Sequence, residues 1–134
     1  MKLKHIKYKD LNSRQKESYN FAKVSALLAD YGVTCVRMHD DYNTGDFMAV
    51  SADGQMRVQL KSRPTIAKGY QGKELMMAFP IKNEWYLIKH DDLVVIMEQT
   101  SRGSPLKTEN WIAKGTYHQT GSKGLIESLK PFKL

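Results

Sequence analysis

Hydrophobic residues recur along the first part of the chain at helical spacing. Phe21, Val24, Leu27, Leu28 and Tyr31 follow one another at three- and four-residue intervals, the period of one buried helix face. Upstream, Leu11-Asn12-Ser13-Arg14-Gln15 carries a start signal: Asn12 can cap free amides and Gln15 can reach back to it, as in a capping box. Gly32 stands where a left-handed C-terminal cap belongs. The pattern predicts a helix over about 13–31. Glu17 and Asn20 lie one turn before Phe21 and Val24 and extend the buried stripe, so polar groups there need partners.

The period then shortens. Val33 to Met38 is short and rich in β-branched residues, which predicts a strand, and a polar loop from His39 to Thr44 follows it. Asp46 to Val50 and Gln55 to Lys61 are strand-like runs flanking Asp53-Gly54, the dipeptide best suited to a two-residue type I′ turn. Ser62 to Gly72, with Pro64, Gly69 and Gly72, predicts a long loop with one helical turn. Glu74 to Phe79 and Glu84 to Ile88 predict two more strands joined by Pro80-Ile81-Lys82-Asn83. Asp91 is placed to cap a helix burying Leu93, Val94, Ile96 and Met97, and Ser101 to Pro105 breaks it. The tail holds Trp111, Tyr117 and a short amphipathic helix from Ser122 to Leu129, closed by Pro131. The expected class is α/β, with a mixed β-sheet flanked by helices in one domain over residues 1–134.

With Asp53-Gly54 as the turn, Ala52 faces Gln55, Val50 faces Arg57, Met48 faces Gln59 and Asp46 faces Lys61. Phe47, Ala49, Val58 and Leu60 then share an apolar face, while Asp46, Arg57, Gln59 and Lys61 share the other. Asp46 and the Gln59 side-chain carbonyl become diagonal neighbours within reach of one hard cation, which takes oxygen ligands from few protein groups. Lys61 lies beside them, able to orient water or offset charge on a phosphate. An Asp opposite a Lys is also a common solvent-face ion pair.

Composition narrows the partners. Lys and Arg number 21 against 14 Asp and Glu, a net charge of +7, which favours polyanions and nucleic acid first. With 41% hydrophobic and 26% charged residues, the chain is not of disordered or collagen-like composition. It has neither an apolar run of membrane-spanning length nor, in Met1 to Lys7, the apolar centre of a secretory signal, so a cytoplasmic protein is expected. The single Cys35 excludes an intramolecular disulfide or a cysteine zinc cage and reads as a packed thiol. No phosphate-binding loop, dinucleotide fingerprint or zinc-peptidase motif occurs.

Gly45-Asp46, twelve intervening residues and Gln59-Leu60-Lys61, placed after a helix and a strand, resemble the PD-(D/E)XK nuclease superfamily. Its core runs helix, three strands, helix, strand. The nearest likenesses are Mrr-type restriction endonucleases, which often carry Gln before x-Lys, and archaeal Holliday junction resolvases. The resemblance covers about residues 12–90, leaving 91–134 as a C-terminal helical extension. It implies a restriction-endonuclease-like fold and Mg²⁺-dependent hydrolysis of phosphodiesters in DNA, with Mn²⁺ as a possible substitute. Asp46 and Gln59 would be metal ligands and Lys61 would stand beside the attacking water. Glu17 or Asn20 would be the contribution of the first helix. Gly45 replaces the family's usual Pro, at a position that mainly shapes the chain, and Gln59 removes one negative charge from the site. A non-catalytic nucleic-acid-binding module on the same fold is the alternative, and a basic protein-interaction domain a third reading.

Around this site, Arg57 and Arg63 flank the motif, and Lys68 and Lys73 belong to a basic second half interleaved with Tyr70, Lys114, Tyr117, His118 and Lys123, where a DNA backbone could lie. Lys2, Lys4, Lys7 and Lys9 form either an arm on phosphate or a solvated terminus. His39, Asp40 and Asp41 form a polar loop with the composition of a second metal or water site, and Trp85, Tyr86 and Trp111 are expected in the core. A nuclease of this size that cuts both strands needs two active sites, which implies a homodimer.

Overall fold

Local signals at both ends of the first helix are realised in the computed structural model, which describes residues 1–39 and 45–134. Helix α1 spans Ser13–Ala29. The Asn12 side chain accepts from the Gln15 amide at 2.9 Å while the Gln15 side chain accepts from the Asn12 amide at 2.9 Å, so both halves of the capping box form. At the other end Gly32 has φ +72°. Val33 N–H donates to the Leu28 carbonyl and Gly32 N–H to that of Ala29, the paired bonds of a Schellman termination. The helix therefore stops two residues short of the expected Tyr31, which is exposed.

The remaining elements are β1 (Thr34–Arg37), β2 (Phe47–Ser51), β3 (Gly54–Leu60), β4 (Thr65–Ala67), β5 (Leu75–Ile81), β6 (Glu84–Lys89), α2 (His90–Thr100), α3 (Glu109–Lys114), β7 (Thr116–His118) and α4 (Lys123–Leu129). Among the described residues five strands form a mixed sheet in the order β1-β2-β3-β5-β6, in which β3 and β5 run parallel and the other neighbours antiparallel. One face receives α1: Val24 and Leu28 pack with Phe47, Ala49, Val58, Ala78 and Trp85. The other face packs Leu75, Met77, Phe79 and Ile88 against Leu93 and Met97 of α2 and Leu125 and Leu129 of α4. The α/β class and the single domain thus stand, as does the core placement of Trp85, Tyr86 and Trp111. Among the described residues no helix is long and apolar enough to cross a membrane.

Four expectations are corrected. The β2–β3 hairpin turns at Ala52-Asp53, not Asp53-Gly54: Ser51 pairs with Gly54, Val50 with Gln55, Met48 with Arg57 and Phe47 with Val58. Neither central residue, Ala52 or Asp53, has positive φ, which falls on Gly54 at +141°, so the type I′ geometry, which needs it at both central residues, is not adopted. That geometry appears instead at Lys82-Asn83, with φ +50° and +67°, which lets β5 run through Pro80 and Ile81 before reversing at Glu84. Second, the segment expected as loop contains β4, which pairs with β7, so residues 91–134 are not a purely helical extension. The one helical turn expected there is present at Lys68–Tyr70. Third, Asp91 does not cap α2. Its carboxylate accepts from His90 Nδ1 at 3.0 Å and from Gly72 N–H at 2.9 Å, and the lead-in residue Lys89 offers no side-chain cap. His90, 1% exposed, also accepts at Nε2 from Ala67 N–H at 3.0 Å, so its Nδ1 carries the proton given to Asp91. Fourth, the crossover from β3 to the parallel β5 is made by β4 and a 3₁₀ turn, where the resembled family has a helix.

Candidate active site

The shift of the hairpin turn moves every pairing by two residues, and an even shift leaves each side chain on its expected face. Asp46 consequently comes to lie against Gln59 rather than Lys61. Asp46 N–H donates to the Val58 carbonyl at 2.8 Å although Phe47 is the residue paired with Val58. Two successive residues thus address one opposite residue, as at a β-bulge, a device that re-aims a side chain beside a site. The expected contacts of Ala49 with Val58 and Phe47 with Leu60 as direct pairs are replaced by Ala49 with Met56 and Phe47 with Val58.

The carboxylate of Asp46 is held by its neighbours. Oδ2 accepts from Gln59 Nε2 at 2.9 Å and from the Leu60 backbone N–H at 2.7 Å. Burial pushes its carboxyl above the ordinary 3.8; the Leu60 amide and the Lys61 ammonium oppose that shift, and the Glu17 carboxylate reinforces it. Gly45, just before it, has φ +141°, and a Cβ there would come within 3.1 Å of Met38 Cε. Gly45 therefore shapes the chain in a way that proline, fixed near φ −65°, could not reproduce at this backbone conformation.

A cavity of about 480 Å³ gathers Glu17 and Asn20 of α1 with Asp46, Gln59, Lys61 and Lys16. A smaller one of about 210 Å³ shares Glu17 and Asp46 and adds Arg37 and His39. All five residues expected to carry chemistry are thus brought together. Asn20, 7% exposed, has the partner its position required: Nδ2 donates to the Tyr8 hydroxyl at 3.0 Å. The Lys61 ammonium lies 5.6 Å from the centre of the Tyr70 ring, an attractive cation–π distance.

The flanking basic residues lie elsewhere. Arg57 donates through Nη2 to the Lys73 carbonyl at 2.6 Å and lines a separate cavity with Met48, Glu74 and Lys89. Arg63 is exposed near His118, and Lys68 covers the Trp111 ring at 5.8 Å. Lys73 is exposed. His39 lines the smaller cavity, while Asp40 and Asp41 lie outside the described residues. Sequence reading missed Tyr8, Lys16 and Arg37. Lys16, Asn20 and Lys23 recur at helical spacing, a signal that could have found Lys16; Tyr8 reaches Asn20 across a chain reversal and leaves no local signal.

The donor set admits a hard cation. Two carboxylates, Glu17 and Asp46, share one cavity, and the Glu17 charge adds a smaller push to the burial that raises the Asp46 carboxyl. Gln59 presents its nitrogen to Asp46, so its oxygen becomes a ligand only after a half-turn of the amide. Among the described residues no group of three or more His, Cys, Asp or Glu is placed to hold a metal. Compared with known proteins, the chain matches no family model, no curated protein and no solved structure.

Proposed function

We propose that this chain is a Mg²⁺-dependent endonuclease of the PD-(D/E)XK type that hydrolyses phosphodiester bonds in DNA, with a cytoplasmic setting. The observation that carries this reading is the convergence of Glu17 and Asn20 from α1 with Asp46, Gln59 and Lys61 from the hairpin on one cavity. Asp46 and Glu17 would hold the ion, with the Gln59 oxygen as a neutral third ligand. Mg²⁺, when bound, supplies Lewis acidity toward a phosphoryl oxygen and toward water. The Leu60 amide fixes the Asp46 carboxylate before substrate arrives, while Gln59 exchanges its bond to Asp46 for the ion by a half-turn of its amide. Lys61 provides a cation beside the position where charge builds as the water oxygen bonds to phosphorus and the sugar oxygen leaves. Lys16, on the same cavity, offers a second cation for the backbone.

A second reading, a DNA-holding module without catalysis, is favoured by one observation: Gln59 turns its amide nitrogen, not its oxygen, toward the Asp46 carboxylate. Incubating the protein with supercoiled, linear, branched and single-stranded DNA and with RNA, in Mg²⁺ or Mn²⁺, separates the two. Cleavage lost in Lys61→Ala while binding persists is the expected result, since a lysine acting on the transition state contributes little to ground-state affinity. No cleavage of any form, with none restored by Gln59→Glu, would leave the binding module.

A further inference from the structure

Beside the carboxylate cavity lies another of about 520 Å³ that shares Tyr8, Asn20 and Ser62 with it and is closed by Tyr19, Lys23 and Trp85. We propose that this second cavity takes a single unpaired nucleobase of the DNA strand whose backbone crosses the Asp46–Lys61 cavity, making DNA with an extrahelical nucleotide the substrate class. The proposal rests on the DNA reading above.

Four observations carry it. The volume lies within the range of small-ligand sites. Tyr8 and Tyr19 stand at 37% and 41% exposure with ring centres 5.2 Å apart, so two aromatic side chains reach solvent at one place. An ammonium accompanies each ring: Lys16 lies 5.6 Å from Tyr8 and Lys23 5.2 Å from Tyr19, which supplies charge for the phosphates flanking a base. Asn83, exposed on the same cavity, adds an amide able to meet a base edge. Continuity with the carboxylate cavity fixes the occupant as part of the same strand, and a base can stack on these rings only after leaving the duplex stack.

The test uses a duplex carrying one bulged 2-aminopurine and the same duplex fully paired, with the whole protein in EDTA. The bulged duplex is expected to bind about tenfold more tightly, the size of one base–aromatic stack, and its fluorescence is expected to be quenched on binding. Tyr19→Ala should remove that preference, leaving paired DNA affected by less than about twofold, and Tyr19→Phe should keep it because the ring face remains. Equal affinity for the two duplexes, unchanged fluorescence, or equal weakening of both by Tyr19→Ala overturns the proposal. A repeat in Mg²⁺ separates it from the nuclease reading. Bulge preference without cleavage keeps the base cavity and removes the enzyme. Cleavage without bulge preference does the reverse.

Discussion

Replacing Asp46 with Asn and with Ala should have different consequences for stability and the same consequence for cleavage. Asp46→Ala strips the acceptor from both the Leu60 amide and Gln59 Nε2, bonds of 2.7 and 2.9 Å to an ionised group. Bonds to charged groups contribute about 1.5–3 kcal/mol each, and partial exposure places this pair at the lower end, so the loss is about 3 kcal/mol. For a chain of 134 residues that is a fall in Tm of roughly 10 °C. Asp46→Asn keeps an oxygen in the same place for both donors and removes a charge that burial disfavours, so its stability at neutral pH should equal or exceed that of the parent. The pH dependence gives a second handle. Because the folded carboxyl titrates above its ordinary 3.8, the native state binds the proton more tightly than the unfolded chain. Stability from this group therefore falls as pH rises from 3.8 through the raised folded value, then levels. The advantage of Asp46→Asn should grow over that window and be constant above it. Urea unfolding of the three proteins between pH 3.5 and 7, followed by circular dichroism, measures both effects. Equal losses in Asn and Ala, or an Asn advantage that does not change with pH, would refute the view of Asp46 as a desolvated, hydrogen-bonded carboxylate. Both variants should be inactive in cleavage, since neither retains the charge.

Gln59→Glu places a carboxylate against Asp46 and should lower Tm without metal yet give a larger Tm increase with Mg²⁺ than the parent shows; a Mg²⁺ response no larger than the parent's counts against an ion site there. Gly45→Ala should cost about 1–3 kcal/mol in urea unfolding through its positive φ, and Gly45→Pro more than about 3 kcal/mol, with near-neutral values excluding the close approach of Met38. His90→Ala removes a buried ring that joins Ala67 to Asp91 and should cost about 3 kcal/mol; a loss under about 1 kcal/mol would make those two bonds idle.

What could be read without coordinates was what neighbours in sequence decide. Asn12 and Gln15 announce the start of α1 because both partners of the capping box lie within one turn. The faces of β2 and β3 were legible from alternation alone, and survived a misplaced turn because the error was even. The turn itself was misread because Asp-Gly is a statistical preference, and a reversal at Ala52-Asp53 with positive φ only at Gly54 meets the same connection. Strands β4 and β7 were illegible for a different reason. Each has three residues and is stabilised by the other across a long stretch of chain, so neither carries a period long enough to detect. The site divides along the same line. Asp46, Gln59 and Lys61 follow from local spacing, whereas Tyr8 and Arg37 enter it only through tertiary packing.

The parallel seam between β3 and β5 has a kinetic consequence. The hairpins β2–β3 and β5–β6 close over short separations and can form early, on the microsecond scale of isolated hairpins. Joining them requires residues 61–74 to be ordered around the crossover, and within that stretch β4 finds its strand partner in β7, near the far end of the chain. Loop closure over that distance is entropically costly before any contact repays it. The Asp46–Gln59 pair is thus assembled inside an early, local unit, while the second layer of core on the α2 and α4 side awaits the slow, non-local step.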